Sequence, residues 1–500
     1  MNFKRRAVAG ALWVSVETWG TQLIQLLLFV ILTRLLGPET YGLLGMAIIV
    51  IALGDVAITN GGWGDALIHE RDLDQRHLDT TFWFLLLSST LLAVLVAALA
   101  VPMARLFGQP ELVGVLMALA PMLPLSSLPV VPEALLRREL RFAPLAARSQ
   151  LATLAAGAVA IPMAFTGFGV WSLVAYQLAQ PVAETLVIWH AHPWRPGRCF
   201  SRPALSGIVR YVGGALGDRV MNVLDFLIPR FVVGYALGAA PLGHFTTARK
   251  IQELLSQLLI RPISRVALPS FAGIRGDAAG MRELLSFGSA VANLVAFPAH
   301  VGLALVAPEL VPLVFGPQWA ETVPVVQVLA LLGLLMPMTQ VTASLMYGIG
   351  RTGLQMLLSV GSAVLFLLLL LLLGPGSLMA ISTAFVGRLF LVFPLRLWLV
   401  QRASGVDVRP ALARSCPILV ATALMAAAVL AWRQLAPQPH HPVPFLASAI
   451  AIGLATYGVA ILLLARPLVQ QTVGLLLSVM GPRKPRAAAV GGSDPAAPGP

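Results

Sequence analysis

The sequence is poor in charged residues. Only 11% of its 500 residues are Asp, Glu, Lys or Arg, and 58% are hydrophobic, whereas typical soluble domains are about 25% charged and about half apolar. A water-soluble protein of this length could not bury so much apolar surface. The apolar residues form long runs without the strict alternation of membrane β-strands, so the composition indicates an all-α polytopic membrane protein.

Cysteine is nearly absent. Cys199 and Cys416 form no CxxC pair, which leaves a disulfide framework or a zinc site without support. The sequence also lacks a nucleophile triad, a metal-ligand set, a phosphate-binding glycine loop and a sizeable loop on the predicted outer side. We therefore predict that the protein is not an enzyme and carries no cofactor and no metal.

What the sequence does contain is a series of apolar segments of the length that spans a bilayer as a helix, roughly 20 residues. We predict about fourteen membrane spans, with the eighth the least apolar: residues 11–35, 41–62, 81–104, 112–132, 148–166, 169–190, 207–235, 241–260, 286–311, 321–347, 354–373, 377–399, 413–434 and 443–465. Proline removes a helix hydrogen bond, so bends are predicted at Pro121, Pro124, Pro129, Pro229, Pro298 and Pro337.

Basic residues outnumber acidic ones by 34 to 21, for a net charge of +13. With the amino terminus inside, most fall in the inner segments, and only Arg34, Arg105 and Arg433 lie at outer ends. This positive-inside bias predicts that both termini are cytoplasmic. Together with attraction to anionic membrane lipids, it explains the charge without a nucleic-acid partner.

Two similar turn sequences occur in different parts of the chain. "RLLGPETYG" covers residues 34–42 and "YALGAAPLG" covers residues 235–243. Six spans separate them, so both lie on the same side, as a parallel repeat of six-helix lobes predicts. We expect an N-terminal lobe over 1–206, a C-terminal lobe over 207–400, two additional lipid-facing helices over 401–466 and a disordered cytoplasmic tail over 467–500. At least one of the turn glycines is expected to need positive φ.

Charges inside the spans are concentrated in the first two helices of each repeat. A charge at mid-bilayer costs roughly 2.5–3.5 kcal/mol on insertion scales, so such charges face a wet cavity or one another. Spans 1, 2, 7 and 8 are therefore predicted cavity walls. Their charged residues include Glu17, Asp55, Asp218, Arg219, Asp225, Arg249, Lys250 and Glu253.

At this point the chain resembles a known family. Residues 11–47 ("ALWVSVETWGTQLIQLLLFVILTRLLGPETYGLLGMA"), 136–146 ("LRRELRFAPLA") and 313–335 ("LVFGPQWAETVPVVQVLALLGLL") look like Wzx-type polysaccharide or lipopolysaccharide flippases, the first two most like the WzxC-like branch. These belong to the multidrug/oligosaccharidyl-lipid/polysaccharide (MOP) exporter superfamily. The resemblance implies two lobes around a central cavity and flipping of an undecaprenyl-diphosphate-linked oligosaccharide across the bacterial inner membrane. It also implies alternating access coupled to H+ or Na+.

Such a task needs cations for the diphosphate and a group that changes its charge for coupling. Arginine suits phosphate because its planar fork makes paired hydrogen bonds. The predicted diphosphate-binding residues are Arg219, Arg249 and Lys250, with Arg34 and Arg230 nearer the outer ends of their helices. The predicted ion-coupling residues are Glu17, Asp55, Asp218 and Asp225.

The structural alternative stays open for each of these residues. Arg219 could pair with Asp218 or Asp225, and Arg249 with Glu253, while Arg34 and Arg230 could reach to the interface. Alternatives to a flippase are a multidrug-type exporter of the same fold, a membrane glycosyltransferase or polymerase, and a scaffold protein. The predicted partners are the lipid-linked oligosaccharide, membrane lipids, a coupling ion and the polysaccharide polymerase or export machinery.

Overall fold

The structure, a computed structural model, describes residues 3–58, 62–274, 276–435 and 442–480. Within these ranges, side chains are described except for residues 3–17, 53, 56–58, 214–219, 221–222, 261–266 and 475–480. All regular secondary structure in the described ranges is helical.

Within the described ranges, twenty α-helices follow one another along the chain, with 3-10 helices at Pro317–Trp319 and Leu331–Leu334. They are α1 Phe3–Leu35, α2 Pro38–Ile58, α3 Trp63–His69, α4 Gln75–Phe107, α5 Leu112–Leu119, α6 Met122–Ser127, α7 Val130–Arg138, α8 Phe142–Phe165, α9 Val170–Ala191, α10 Arg202–Leu237, α11 Ala239–Leu259, α12 Arg261–Gly273, α13 Ala278–Phe315, α14 Thr322–Ala330, α15 Met336–Gly348, α16 Thr352–Leu373, α17 Leu378–Ser404, α18 Arg409–Leu435, α19 Pro442–Leu464 and α20 Arg466–Met480.

A helix or a run of consecutive helices lies at each predicted span. In the described part of the chain, eight helices are long and apolar enough to cross a membrane, or nine when one bent pair is counted as a single span. The chain is therefore a multi-pass membrane protein, while the number fourteen stays a prediction. The eighth predicted span, α11, is not in that set. Its helix carries His244, Arg249, Lys250 and Glu253, which lower its hydropathy.

Two of the predicted spans are broken where prolines interrupt the helical hydrogen bonds. The fourth span consists of α5, α6 and α7, and Pro121 and Pro129 are the residues that precede α6 and α7. The tenth span bends by 43° between Leu334 and Met336, next to Pro337 in the first turn of α15. By contrast, α10 and α13 run through Pro229 and Pro298 as single helices.

The two repeated turns lie against each other. A Cβ atom added to Gly42 would overlap the carbonyl group of Ala239, and one added to Gly243 would overlap the carbonyl group of Pro38. This exchange is what a two-fold relation between the hairpins α1–α2 and α10–α11 requires, so it supports the predicted parallel repeat. The expected positive φ is found at Gly238, at +89°.

The last three helices pack around α13. Buried residues of α13, α18, α19 and α20 form one apolar cluster that includes Phe297, Ile418, Ile461 and Leu468. The prediction of disorder over 467–500 is wrong for residues 467–480, because α20 is a helix whose apolar residues complete this cluster. Residues 481–500 lie outside the described part of the chain.

Candidate functional site

Five charged side chains meet where α10, α11 and α17 come together. Arg388 on α17 donates to the Asp225 carboxylate on α10 over 2.5 Å. On α11, Arg249 Nε lies 3.2 Å from Glu253 Oε1, and Arg230 of α10 lies 4.0 Å from the same oxygen atom. We call these five residues the charge cluster. It holds three guanidinium groups and two carboxylates, so it carries one excess positive charge.

Each of the three guanidinium groups lies over the face of an aromatic ring. Arg230 lies 3.4 Å from the ring centre of Phe226, while Arg249 and Arg388 lie 4.9 Å and 4.3 Å from the ring centre of Phe385. Cations over aromatic faces are stabilised, most strongly where water is excluded. The rings therefore keep positive charge inside the bundle without neutralising it.

The exposure of the cluster differs between its members. The Arg388 side chain is 2% exposed and the Arg230 side chain 5%, whereas Asp225 is 44% exposed and Glu253 is 26% exposed. Carboxylates within membrane spans face a water-filled space or a partner. The accessible side of the cluster is thus lined by Asp225 and Glu253, with the guanidinium groups behind them.

The structure brings together only some of the predicted site residues. Arg230 and Arg249 share Glu253, so the predicted pairing of Arg249 with Glu253 is confirmed. Arg34 lies elsewhere and donates to the carbonyl group of Leu313 over 3.2 Å. Arg230 lies in the C-terminal part of α10, but its side chain is buried within the charge cluster and does not reach to the interface, which was the structural alternative for it.

The remaining predicted site residues differ in how much of them the structure describes. Lys250 follows Arg249 on α11 and is half-buried, and Asp55 near the end of α2 is also half-buried. The side chains of Glu17, Asp218 and Arg219 lie outside the described part of the chain. Asp225, predicted for ion coupling, forms an ion pair with Arg388 in this structure.

Arg388 is the residue that sequence reasoning missed. It lies in the middle of the apolar helix α17 and is fully buried. Its position in the sequence was the one indication of a role, because an arginine at the centre of a membrane span needs an oppositely charged partner or a water-filled cavity. The partner lies 163 residues earlier in the chain, so no local spacing could identify it.

A seam joins the lobes on the side of the repeated turns. It consists of the two glycine contacts already described and of hydrogen bonds between α1 and the segment after α13. Trp319 Nε1 donates to the carbonyl group of Thr33 over 2.9 Å, and Gln318 Nε2 donates to the carbonyl group of Arg34 over 3.2 Å. Within the N-terminal lobe, Thr33 Oγ1 donates to Tyr41 Oη over 3.0 Å and so supports this contact. We call this set of contacts the interlobe seam.

An apolar groove of about 890 Å³ runs between α1, α11, α13, α18 and α19. Leu27, Leu254, Leu258, Val306 and Leu454 are among its lining residues. The groove and the charge cluster share α11, which presents Ile251 and Leu254 to the groove and contributes Arg249 and Glu253 to the cluster. A polar site and an apolar site thus lie on one helix.

Among the residues that the structure describes, no group of three or more His, Cys, Asp or Glu side chains is arranged to hold a metal ion.

Comparison with known proteins connects this architecture to a family. The family model described as polysaccharide biosynthesis protein matches residues 31–324. The succinoglycan biosynthesis transport protein ExoT of Rhizobium meliloti (strain 1021) is 26% identical over 496 residues, which is 96% of this chain and 97% of that protein. The lipopolysaccharide biosynthesis protein WzxC of Escherichia coli (strain K12) is 26% identical, with 73% of this chain and 75% of that protein covered.

Solved structures share the fold. The lipid II flippase MurJ, in an inward closed conformation, superposes with a TM-score of 0.75 at 13% identity, covering 92% of this chain and all of that one. An inward-facing multidrug resistance MATE family transporter of the MOP superfamily has a TM-score of 0.60 at 18% identity, covering 79% of this chain and 98% of that one. The fold is therefore that of the MOP transporters.

Proposed function

The chain belongs to the polysaccharide biosynthesis protein family, and on this basis we propose that it flips a lipid-linked oligosaccharide across the bacterial inner membrane. The proposed cargo is an undecaprenyl-diphosphate-linked glycan for exopolysaccharide, O-antigen or capsule synthesis. The observation that carries the proposal is the excess positive charge of the charge cluster beside an apolar groove on the same helix.

The charge cluster suits a diphosphate. A phosphate group entering the membrane loses hydration, and guanidinium groups replace part of it with charge-assisted hydrogen bonds. Glu253 Oε1 lies 3.2 Å from Arg249 and 4.0 Å from Arg230, and both distances are longer than those of the tightest charge-assisted hydrogen bonds, about 2.7–2.9 Å. A diphosphate can therefore take up donors from both arginines without breaking a tight pair.

The groove suits a prenyl tail. It is lined almost wholly by aliphatic side chains and borders the helix that carries Arg249. Apolar area removed from water contributes roughly 25 cal/mol per Å², but a groove within the bilayer gains mainly packing contacts. It would keep the tail in the membrane while the headgroup crosses beside α11.

The transport cycle follows from the two-lobe fold. We infer that the interlobe seam closes the outer side in this state, that both termini are cytoplasmic, and that rocking of the lobes opens the seam. Coupling to H+ or Na+ would drive the cycle, with Glu17, Asp55, Asp218 and Asp225 as the carboxylates for it. Transfer of the flipped glycan to the polymerase or export machinery would follow at the outer face.

The first test is the leaflet distribution of the lipid-linked glycan. In cells depleted of this protein, complete glycan should accumulate on the cytoplasmic leaflet, where membrane-impermeant periodate or a lectin does not reach it. Truncated glycan, or unpolymerised glycan on the outer leaflet, would favour the enzyme alternative. An unchanged distribution would favour another cargo, such as the drugs of a multidrug exporter.

Variants then test the charge cluster. Arg230→Ala and Arg249→Ala should each lower glycan export about tenfold at normal membrane abundance, the effect of losing one charge-assisted hydrogen bond of roughly 1.5 kcal/mol. Arg402→Ala is the matched control, because Arg402 stacks on Trp398 at the far end of α17. Wild-type export by both single variants and by the double variant would exclude the cluster from substrate binding.

A further inference from the structure

His300 lies in the middle of α13 and is fully buried. Its Nδ1 lies 2.8 Å from the carbonyl oxygen of Ala296, and its Nε2 lies 3.2 Å from Ser256 Oγ on α11. A carbonyl oxygen only accepts hydrogen bonds, so Nδ1 carries the proton and Nε2 of the neutral ring is an acceptor. His300 thus has one open protonation position, and it faces α11.

From Nε2, a chain of hydrogen bonds leads to the charge cluster. Ser256 donates to His300, Gln252 Nε2 donates to Ser256 Oγ over 2.8 Å, and Arg249 Nη1 donates to Gln252 Oε1 over 3.2 Å. Arginine has donors only, so the amide oxygen of Gln252 must face Arg249 and the amide nitrogen must face Ser256. Every donor in the chain therefore points from Arg249 towards neutral His300.

Protonation of Nε2 reverses this chain. The added proton makes Nε2 a donor to Ser256 Oγ, and the Ser256 hydroxyl then needs an acceptor. The Met336 Sδ atom, 3.9 Å from Ser256 Oγ, is only a weak acceptor. Gln252 supplies a stronger one when its amide turns over and presents Oε1 to Ser256. The amide nitrogen then faces Arg249, two donors meet, and the hydrogen bond from Arg249 to Gln252 is lost. One proton on His300 thereby releases one donor of Arg249.

The ring also lies at the break in the tenth predicted span. A Cβ atom added to Gly333, in the 3-10 helix Leu331–Leu334, would overlap the imidazole ring of His300. Met336 Sδ, just beyond the 43° bend, lies 3.2 Å from Gln252 Nε2. The hydrogen-bond chain therefore touches the bent segment at two points, and turning the Gln252 amide also breaks its contact with that segment.

Within the described part of the chain, the hydrogen-bond partners of the His300 ring are Ala296 and Ser256. Among the described residues no carboxylate forms an ion pair with His300, so its protonation is communicated through Ser256. On α13 and the helices that pack against it, the other charged and titratable groups are Arg34, His244, Arg249, Lys250, Glu253, Arg282, Glu283, Glu309, Tyr347, Arg409, Arg414, Cys416, Arg433, Tyr457 and Arg466, while Glu17, Arg261 and Arg265 have side chains outside the described part.

We propose that His300 is a proton-binding site that controls Arg249 through Ser256 and Gln252. Protonation frees Arg249 to bind a diphosphate, and by reciprocity a bound diphosphate favours the protonated ring. This inference rests on the proposed function, because it assumes that Arg249 meets a diphosphate. It assigns the proton to a histidine outside the carboxylates predicted for coupling.

The test is calorimetric binding of undecaprenyl diphosphate, in detergent micelles, to the purified full-length protein. Titration in two buffers of different ionisation enthalpy reports the protons taken up on binding. Wild-type protein should take up a proton on binding, most of all towards the acidic end of roughly pH 5–8, the range in which histidine side chains change charge. The ratio of the wild-type affinity for undecaprenyl diphosphate to that of His300→Gln should rise about tenfold as the pH falls through this range. Because both proteins bind the same ligand, this ratio does not depend on the titration of the diphosphate itself.

Three variants complete the design. His300→Gln should bind without the additional proton uptake. Ser256→Ala, a smaller change, should lose the same uptake because the chain is cut, which keeps the test valid if His300→Gln fails to fold. His190→Gln, at an exposed histidine in the last turn of α9, should behave as wild type. Unchanged uptake in His300→Gln or in Ser256→Ala would overturn the proton site alone, whereas absence of wild-type binding would overturn the proposed substrate as well.

Discussion

Arg388 and Asp225 form an unequal pair at the scale of single residues. The guanidinium is buried and also donates from Nε to the carbonyl group of Phe385 over 3.2 Å, whereas the carboxylate is 44% exposed. Removing one partner of a buried ion pair is costly because the other charge is left without compensation. The cost should therefore depend on which partner is removed.

Asp225→Ala is predicted to destabilise the protein by about 3–5 kcal/mol, because it leaves the buried guanidinium unpaired. Arg388→Met should cost less, since Asp225 keeps contact with water, and the double variant should recover most of the stability lost in Asp225→Ala. Thermal unfolding of the purified protein in detergent measures this series. Equal losses for the two single variants would contradict the assigned asymmetry.

At the scale of elements, the broken tenth span stands out. The ring of His300 lies against Gly333 in the 3-10 turn, so close that a Cβ atom added to Gly333 would overlap it. Proline at position 337 begins the next helix because its missing N–H is tolerated in a first helical turn. The bend thus lies next to Pro337, and the ring of His300 packs against its first half.

Gly333→Ala is predicted to destabilise the protein by about 1–3 kcal/mol, the usual effect of overpacking, because the new methyl group would overlap His300. Gly361→Ala on α16 is the matched control, since a Cβ atom there meets open space and alanine is a better helix former. Thermal unfolding midpoints of both variants provide the comparison. A neutral Gly333→Ala would mean that the bend relaxes without cost.

At the scale of the whole molecule, the two hairpins define how closely the lobes approach. Gly42 and Gly243 each lie against a carbonyl group of the opposite hairpin. The backbones of the two hairpins are therefore in direct contact, and a side chain at either position would push the hairpins apart. Thr33 beside this contact is fully buried. The interlobe seam is therefore sensitive to a single methyl group on either lobe.

Gly42→Ala and Gly243→Ala should each open the seam. In a Cys199→Ser and Cys416→Ser background, a Thr33→Cys reporter is expected to resist a membrane-impermeant maleimide in the parent and to react at least tenfold faster with either alanine present. Gly37→Ala is the control on the same turn, because nothing lies within 4 Å of its added Cβ atom. An unreactive reporter in both glycine variants would show that other contacts hold the seam.

The sequence by itself determined the membrane class, the positions of the long apolar helices, the breaks at Pro121 and Pro337, and the repeated hairpin. These features depend on hydropathy, proline geometry and local chain reversal, which are encoded within a few tens of residues. It also identified Arg249 and Glu253 as a pair, because they are four residues apart on one helix.

Only the tertiary structure decided the rest. The partner of Arg388, the burial of Arg230, the glycine contacts between hairpins and the chain from Arg249 to His300 each join residues on different helices. Such contacts depend on how helices pack in three dimensions, and one sequence carries no spacing rule for them. The helical tail over 467–480 was missed for the same reason, because its apolar residues are explained only by the cluster on α13 and α19 that they cover.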